Sequence, residues 1–151
     1  MEDRTIARRN FIRTCCNAAV GVPLAATVLS SCSGTHFATA TIEQGRMRVA
    51  LSEFSEQKEG ANHKRQFVLV QTEASEFPIC VHRQGEGQFS AALLSCTHNV
   101  CELNVTGPLF VCPCHGSEFT LDGAVVKGPA EENLTTFKTT VDDGFVWVEQ
   151  R

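Results

Sequence analysis

Two short runs constrain this chain more than anything else in it. The first is Cys96-Thr97-His98-Asn99-Val100-Cys101 and the second is Cys112-Pro113-Cys114-His115-Gly116-Ser117. Each holds two cysteines and one histidine within six positions. A single extended loop cannot turn all six side chains to one point, whereas two facing loops can. Thiolate and imidazole together suit zinc, copper or iron–sulfur rather than magnesium or calcium, because soft donors match soft and borderline metals. A C-x-H…C-x-x-H quartet has the spacing of a closed, tetrahedral zinc site. That site uses two cysteines where four are present, and in an oxidising compartment a surplus pair favours a disulfide.

The N-terminal stretch points to such a compartment. Arg4, Arg8, Arg9 and Arg13 precede a moderately apolar run from Ala18 to Leu29, which ends at Ser30-Ser31-Cys32. A basic start, a short apolar run and a small-residue site are the layout of an export signal. The run falls short of the roughly 20 apolar residues that cross a bilayer core. Arg8-Arg9-Asn10-Phe11-Ile12 resembles a twin-arginine export signal, and Leu29-Ser30-Ser31-Cys32 resembles a bacterial lipobox. These resemblances predict a signal over residues 1–31, a lipid-anchored Cys32, a tether over 32–44 and a domain over 45–151. Cys15 and Cys16 then leave with the signal. Formal charge is −4 for the whole chain, and beyond residue 31 it becomes −6, from 9 Lys and Arg against 15 Asp and Glu. No basic surplus points to nucleic acid, and an acidic domain argues against a basic lipid-binding patch.

Beyond Gly45, short apolar runs alternate with turn residues and no stretch holds a helical period, so the domain is expected to be all-β and mostly antiparallel. Predicted strands are 46–51, 66–71, 78–82, 88–95, 137–141 and 145–150. Asp142-Asp143-Gly144 reads as a hairpin turn, and Leu121-Asp122-Gly123-Ala124 as a second Asp-Gly turn. The polar stretch 53–65 reads as a solvated loop or poor helix. Cys80, between Ile79 and Val81, reads as a buried free thiol. Trp147 is expected in the core, His36 and His63 in solvent, and His82 at the surface or internally satisfied.

The tandem boxes C-T-H-x-x-C and C-P-C-H-G-S resemble those of the Rieske iron–sulfur family, from about Gln88 to Leu134 and more loosely to Arg151. The resemblance implies a Rieske-type antiparallel β-sandwich with a small cluster-binding subdomain of two loops, over about 93–130. It implies one [2Fe–2S] cluster with Cys96 and Cys112 on the inner iron and His98 and His115 on the outer iron. Such mixed ligation raises the potential above that of all-cysteine ferredoxins. Cys101 and Cys114 match the disulfide that ties the loops, and Ser117 matches a serine that donates to a bridging sulfide. Phe119 stands where high-potential members carry a tyrosine, so a moderated potential is expected. The sequence contains no tyrosine at all. Gly128-Pro129-Ala130 matches the proline loop, with Glu131 where a second proline is common, which predicts a looser loop.

The implied role is electron transfer at the outer face of a cytoplasmic membrane, without a separate catalytic site. Expected partners are a membrane-bound quinol-oxidising complex and a cytochrome c-type acceptor. The small Rieske subunit of a molybdenum oxidoreductase of the arsenite-oxidase kind, a standalone Rieske ferredoxin feeding an oxygenase, and a zinc-stabilised lipoprotein are the alternatives.

Overall fold

The computed structural model describes residues 35–58 and 60–150. The signal residues Arg8 and Arg9 and the candidate lipidation site Cys32 lie outside the described residues. The strands, in chain order, are β1 (Ala40–Glu43), β2 (Arg46–Ala50), β3 (Ser55–Lys58), β4 (Ala61–Lys64), β5 (Phe67–Val70), β6 (Ile79–Gly85) and β7 (Gln88–Leu93). They continue with β8 (Asn104–Thr106), β9 (Leu109–Val111), β10 (Glu118–Thr120), β11 (Val125–Lys127), β12 (Thr136–Phe137), β13 (Thr139–Asp142) and β14 (Phe145–Glu149).

Three sheets of four strands carry the fold, in the orders β1-β2-β14-β13, β12-β7-β6-β5 and β11-β10-β9-β8, and all their ladders are antiparallel. The middle sheet explains the near-continuous apolar runs of its strands, because it is covered on both faces. Successive strand residues point to opposite sides. Val68, Val70, Ile79, Val81, Phe89 and Ala91 therefore pack with Met47, Val49, Val146 and Val148 of the first sheet. Leu69, Cys80 and Ala92 face the other way, onto Leu103, Phe110, Phe119, Cys96 and Cys112. Phe110 and Phe119 sit opposite each other in the β9–β10 register and are fully buried. Each contributes roughly 1.5–3 kcal/mol by its removal from water.

The expected sandwich with a small loop-built subdomain is thus what the chain forms. The subdomain is an excursion between β7 and β12, which pair directly, Thr136 with Ala92 and Phe137 with Ala91. Its second Asp-Gly turn closes against the return strand. Gly123 has a positive φ of 83°, and a Cβ there would lie 2.7 Å from Thr136 Cγ2.

Five expectations are corrected. The stretch 35–44 is not a free tether. Ala38 N–H donates to Leu69 O at 2.8 Å, Leu69 N–H donates to His36 O at 2.9 Å, and β1 pairs with β2. His36 is accordingly half-buried and paired rather than free in solvent, its Nε2 lying 2.6 Å from Glu53 Oε2. The stretch 53–65 contains the hairpin β3–β4 behind a 3₁₀ turn, Leu51–Phe54, whose Phe54 is fully buried. Trp147 lies on the outer face of β14, because Val146 and Val148 take the inner one, and the Arg46 guanidinium covers its ring at 4.6 Å. The strand predicted over 137–141 is divided between β12 and β13. His82 is half-buried, with its Nδ1 lacking a hydrogen-bond partner among the described residues. Cys80 is fully buried and free as expected, and burial pushes its thiol up to about 12.

Candidate metal centre

Both cysteine–histidine boxes are hairpin tips, built alike. In each, the first cysteine is the last residue paired before the chain turns outward. Cys96 N–H donates to Cys101 O at 2.9 Å, above the Ser95–Glu102 bridge and the Leu103 N–H to Leu94 O bond of 3.1 Å. Cys112 N–H donates to Ser117 O at 2.8 Å, just past the Glu118–Val111 pair that joins β9 and β10. Gly116 supplies the positive φ, 76°, on which the second loop turns, a conformation L side chains resist.

This construction sorts the side chains by depth. Cys96 and Cys112 are 3% and 1% exposed and free, whereas His98 and His115 are exposed. The imidazole centroids are 4.9 Å apart, edge to face. Cys101 and Cys114 form a disulfide that joins the two tips. The sulfurs of Cys101, Cys112 and Cys114 lie within 4.8 Å of one another, but two of them are bonded together, so Cys112 supplies the thiol there. Burial works against ionisation of Cys96. Hydrogen bonds from the Cys112 thiol, the His98 and Asn99 N–H groups and the Ser117 hydroxyl outweigh it and hold the Cys96 thiol below its ordinary value. Backbone and side-chain donors are therefore already gathered around this sulfur in a way that favours its thiolate form.

A third loop closes the side. Ser117 is fully buried, and its Oγ accepts the Ala130 N–H at 3.0 Å. Thr97 Oγ1 donates to Glu132 O at 2.6 Å, Val125 N–H donates to Asn133 Oδ1 at 3.0 Å, and Leu134 N–H donates to Gly123 O at 2.8 Å. The proline loop is thus pinned along its length and is not the looser segment that Glu131 suggested. Pro129 stays exposed, beside His98. Phe119 is buried among the residues beneath the site. Asn133, which with Leu134 follows Gly128-Pro129-Ala130 in the resemblance to the proline loop, thus gains a definite bond, whereas sequence reasoning gave Thr97 no role, its only sign being a small polar side chain within the first motif.

With two cysteines committed to the disulfide, the donors left are two thiols in mutual contact and two imidazoles at the surface. That set fits a Cys₂His₂-held [2Fe–2S] group, and by donor type alone it would also accept zinc. Relatives decide between them. Residues 49–138 match the Rieske [2Fe-2S] domain. The chain is 39% identical over 75 residues to the cytochrome b6-f complex iron-sulfur subunit of Prochlorococcus marinus, covering 48% of this chain and 42% of that protein. It is 45% identical over 60 residues to the chloroplastic subunit of Oryza sativa, covering 36% of this chain and 27% of that one. The chain therefore spans less than half the length of these curated relatives. Among solved structures, a chain in the complex of reduced oxygenase and oxidized ferredoxin in carbazole 1,9a-dioxygenase aligns at 26% identity with a TM-score of 0.53. That alignment covers 71% of this chain and 94% of the other.

The chain belongs to the Rieske [2Fe-2S] domain family, and its cofactor is a [2Fe–2S] cluster, an electron-transfer group.

Proposed function

We propose that Cys96 and Cys112 hold the inner iron and His98 and His115 the outer iron of this cluster, and that the chain carries electrons for a quinol-oxidising complex at the outer face of the cytoplasmic membrane. The observation that carries the reading is the depth order of the four donors, with thiols buried and imidazoles at the surface. The cluster, when bound, takes up and returns one electron. The residues do the rest. Two thiolates would offset the +2 charge of an oxidised core of two Fe³⁺ and two S²⁻ ions, and neutral imidazoles would add none, so these four residues would leave the site close to neutral before an electron is added. Low dielectric around Cys96 and Cys112 strengthens the donors aimed at them. Each exposed imidazole presents its free nitrogen to solvent or a partner, where it can hold a proton that a hydroquinone gives up with its electron.

The relatives named above as b6-f subunits support the quinol-oxidising setting. The twin-arginine and lipobox resemblances support export, a lipid anchor at Cys32, and a cytochrome c-type acceptor on that side. The near-complete coverage of the carbazole-complex chain favours a second reading, a standalone ferredoxin, which would be found in the soluble fraction.

Iron, labile sulfide and zinc analysis of the purified full chain, followed by EPR of the reduced protein, tests the cluster assignment. Two irons and two sulfides per chain are expected, lost in Cys112→Ser and kept in Cys80→Ser. One zinc without labile sulfide would refute it. Retention in membranes, lost in Cys32→Ser, tests the anchor, and reduction by a short-chain ubiquinol tests the donor class.

A further inference from the structure

The proposed site has a strongly uneven electrical setting. Between Cys96 and Leu134 the chain carries five acids, Glu102, Glu118, Asp122, Glu131 and Glu132, against one base, Lys127. Lys127 is already spent, with its Nζ 2.8 Å from Glu118 Oε1. The rest of the described residues, 35–58, 60–95 and 135–150, are closer to balance, with nine acids against seven bases. Negative charge is therefore concentrated in the module that bears the donors.

It is also positioned within that module. Glu131 and Glu132 line one cleft with Thr97, His98 and Pro129, and no cation lines it. The Thr97 bond to Glu132 O and the Ala130 bond to Ser117 Oγ fix their backbone beside His98. Val100, on the same loop as His98, is 71% exposed, a bare apolar side chain two residues from the imidazole. An apolar centre with a charged rim is the anatomy of a transient protein interface. Rim charge governs which partners approach and how fast.

We propose that the histidine-bearing tip is a docking face for a cationic redox partner, a protein whose electron-accepting edge is ringed by lysine or arginine, with Glu131 and Glu132 as the selecting residues. This rests on the cluster-carrying reading above and adds the charge class of the partner. Coulomb energy falls with distance, so a fixed pair of carboxylates beside the exposed imidazole weighs more on a partner at the tip than charges elsewhere in the domain.

The test uses the full, cluster-loaded chain, reduced and then mixed in stopped flow with two small one-electron oxidants of opposite charge. Tris(phenanthroline)cobalt(III), 3+, accepts the electron to become cobalt(II), and hexacyanoferrate(III), 3−, becomes hexacyanoferrate(II). Oxidation by the cation should slow as salt is raised, and oxidation by the anion should quicken. Glu131→Gln with Glu132→Gln should slow the cationic reaction about three- to tenfold at ~0.01 M ionic strength, where the screening length is about 30 Å. Glu86→Gln with Asp142→Asn removes the same net charge at the far end of β7 and β13 and should change it little. Equal slowing by both pairs would overturn the proposal, because net charge rather than the rim would then be responsible.

A second readout needs no bound cluster. Carbodiimide coupling to a lysine-rich cytochrome c at low salt should place cross-links at Glu131 or Glu132, and cross-links confined to other carboxylates would overturn the proposal. A chain that purifies without iron and sulfide would refute the cluster reading, and the cross-linking arm would still judge the acidic face.

Discussion

Ser117 offers the sharpest link between geometry and electron affinity. It is fully buried, its Oγ accepts the Ala130 N–H at 3.0 Å, and its hydroxyl is free to donate to the neighbouring Cys96 sulfur, lowering that thiol's pKa. Ser117→Ala removes both bonds and substitutes a methyl group of similar size, so little packing changes. The Ala130 N–H is then buried without an acceptor, which costs about 1–3 kcal/mol of stability. The bond to sulfur is worth roughly 1.5–3 kcal/mol because its acceptor is charged. A donor favours the more electron-rich state, so its loss lowers the potential. Only the part of the bond that differs between redox states counts. If that part is about a third, the fall is roughly 20–45 mV, since about 1.4 kcal/mol corresponds to 59 mV for one electron. Protein-film voltammetry at fixed pH reads the potential, and guanidinium unfolding of the same samples reads the stability. Ser117→Thr keeps the hydroxyl and should keep the potential, even where its extra methyl costs stability. A potential unmoved in Ser117→Ala, with stability lowered as expected, would show that the serine only holds the proline loop.

Three further outcomes follow from named contacts. Phe119→Tyr should raise the potential by tens of millivolts, a charge-assisted bond of about 1.5–3 kcal/mol being shared unequally between redox states; voltammetry showing no rise would count against a site sulfur as its acceptor. Gly123→Ala combines a left-handed backbone, about 1–2 kcal/mol for an L residue, with a Cβ pressed 2.7 Å from Thr136 Cγ2, so denaturant unfolding should show a loss of at least that size. Cys80, with its thiol pushed from 9.0 to about 12, should resist iodoacetamide at pH 8 in the folded protein. Because the unfolded chain releases that proton first, its contribution to stability is whole below pH 9.0 and is lost as pH climbs towards about 12. Thermal melts of wild type against Cys80→Ala across that interval should converge at the alkaline end.

The donor set was legible because its chemistry is confined to two runs in which residue type and spacing both matter. The supporting bonds were not, since Thr97 to Glu132 and Val125 to Asn133 join loops far apart in sequence through residues that are ordinary anywhere else. Among the elements, Asp143-Gly144 announced its hairpin through turn chemistry, and the runs around Val68 and Val81 announced strands through their apolar side chains. The β3–β4 hairpin escaped notice because the residues of β4 are all exposed, leaving no alternation to see; its one signal was Gly60 between two polar runs, now found at φ +78. Trp147 was misplaced by weighing the residue and not its position. Alternation with Val146 and Val148 already put it on the opposite face, where Arg46 covers it. The stretch 35–44 hid its strand because Ala38 and Ala40 are too small to read as core.

The excursion from β7 to β12 makes the redox module a graft. Its two ends emerge on neighbouring strands, Thr136 beside Ala92, so in topological terms it is a single decorated loop. Because β7 and β12 pair directly, changes of length within it leave its two ends on the same paired strands. The graft has a condition, though: the host must present a second apolar face, as Leu69, Cys80 and Ala92 do here, or Phe110 and Phe119 have nothing to rest on. A recipient scaffold for such a module can therefore be chosen by asking for two adjacent antiparallel strands and an apolar patch on the side the loop will cover.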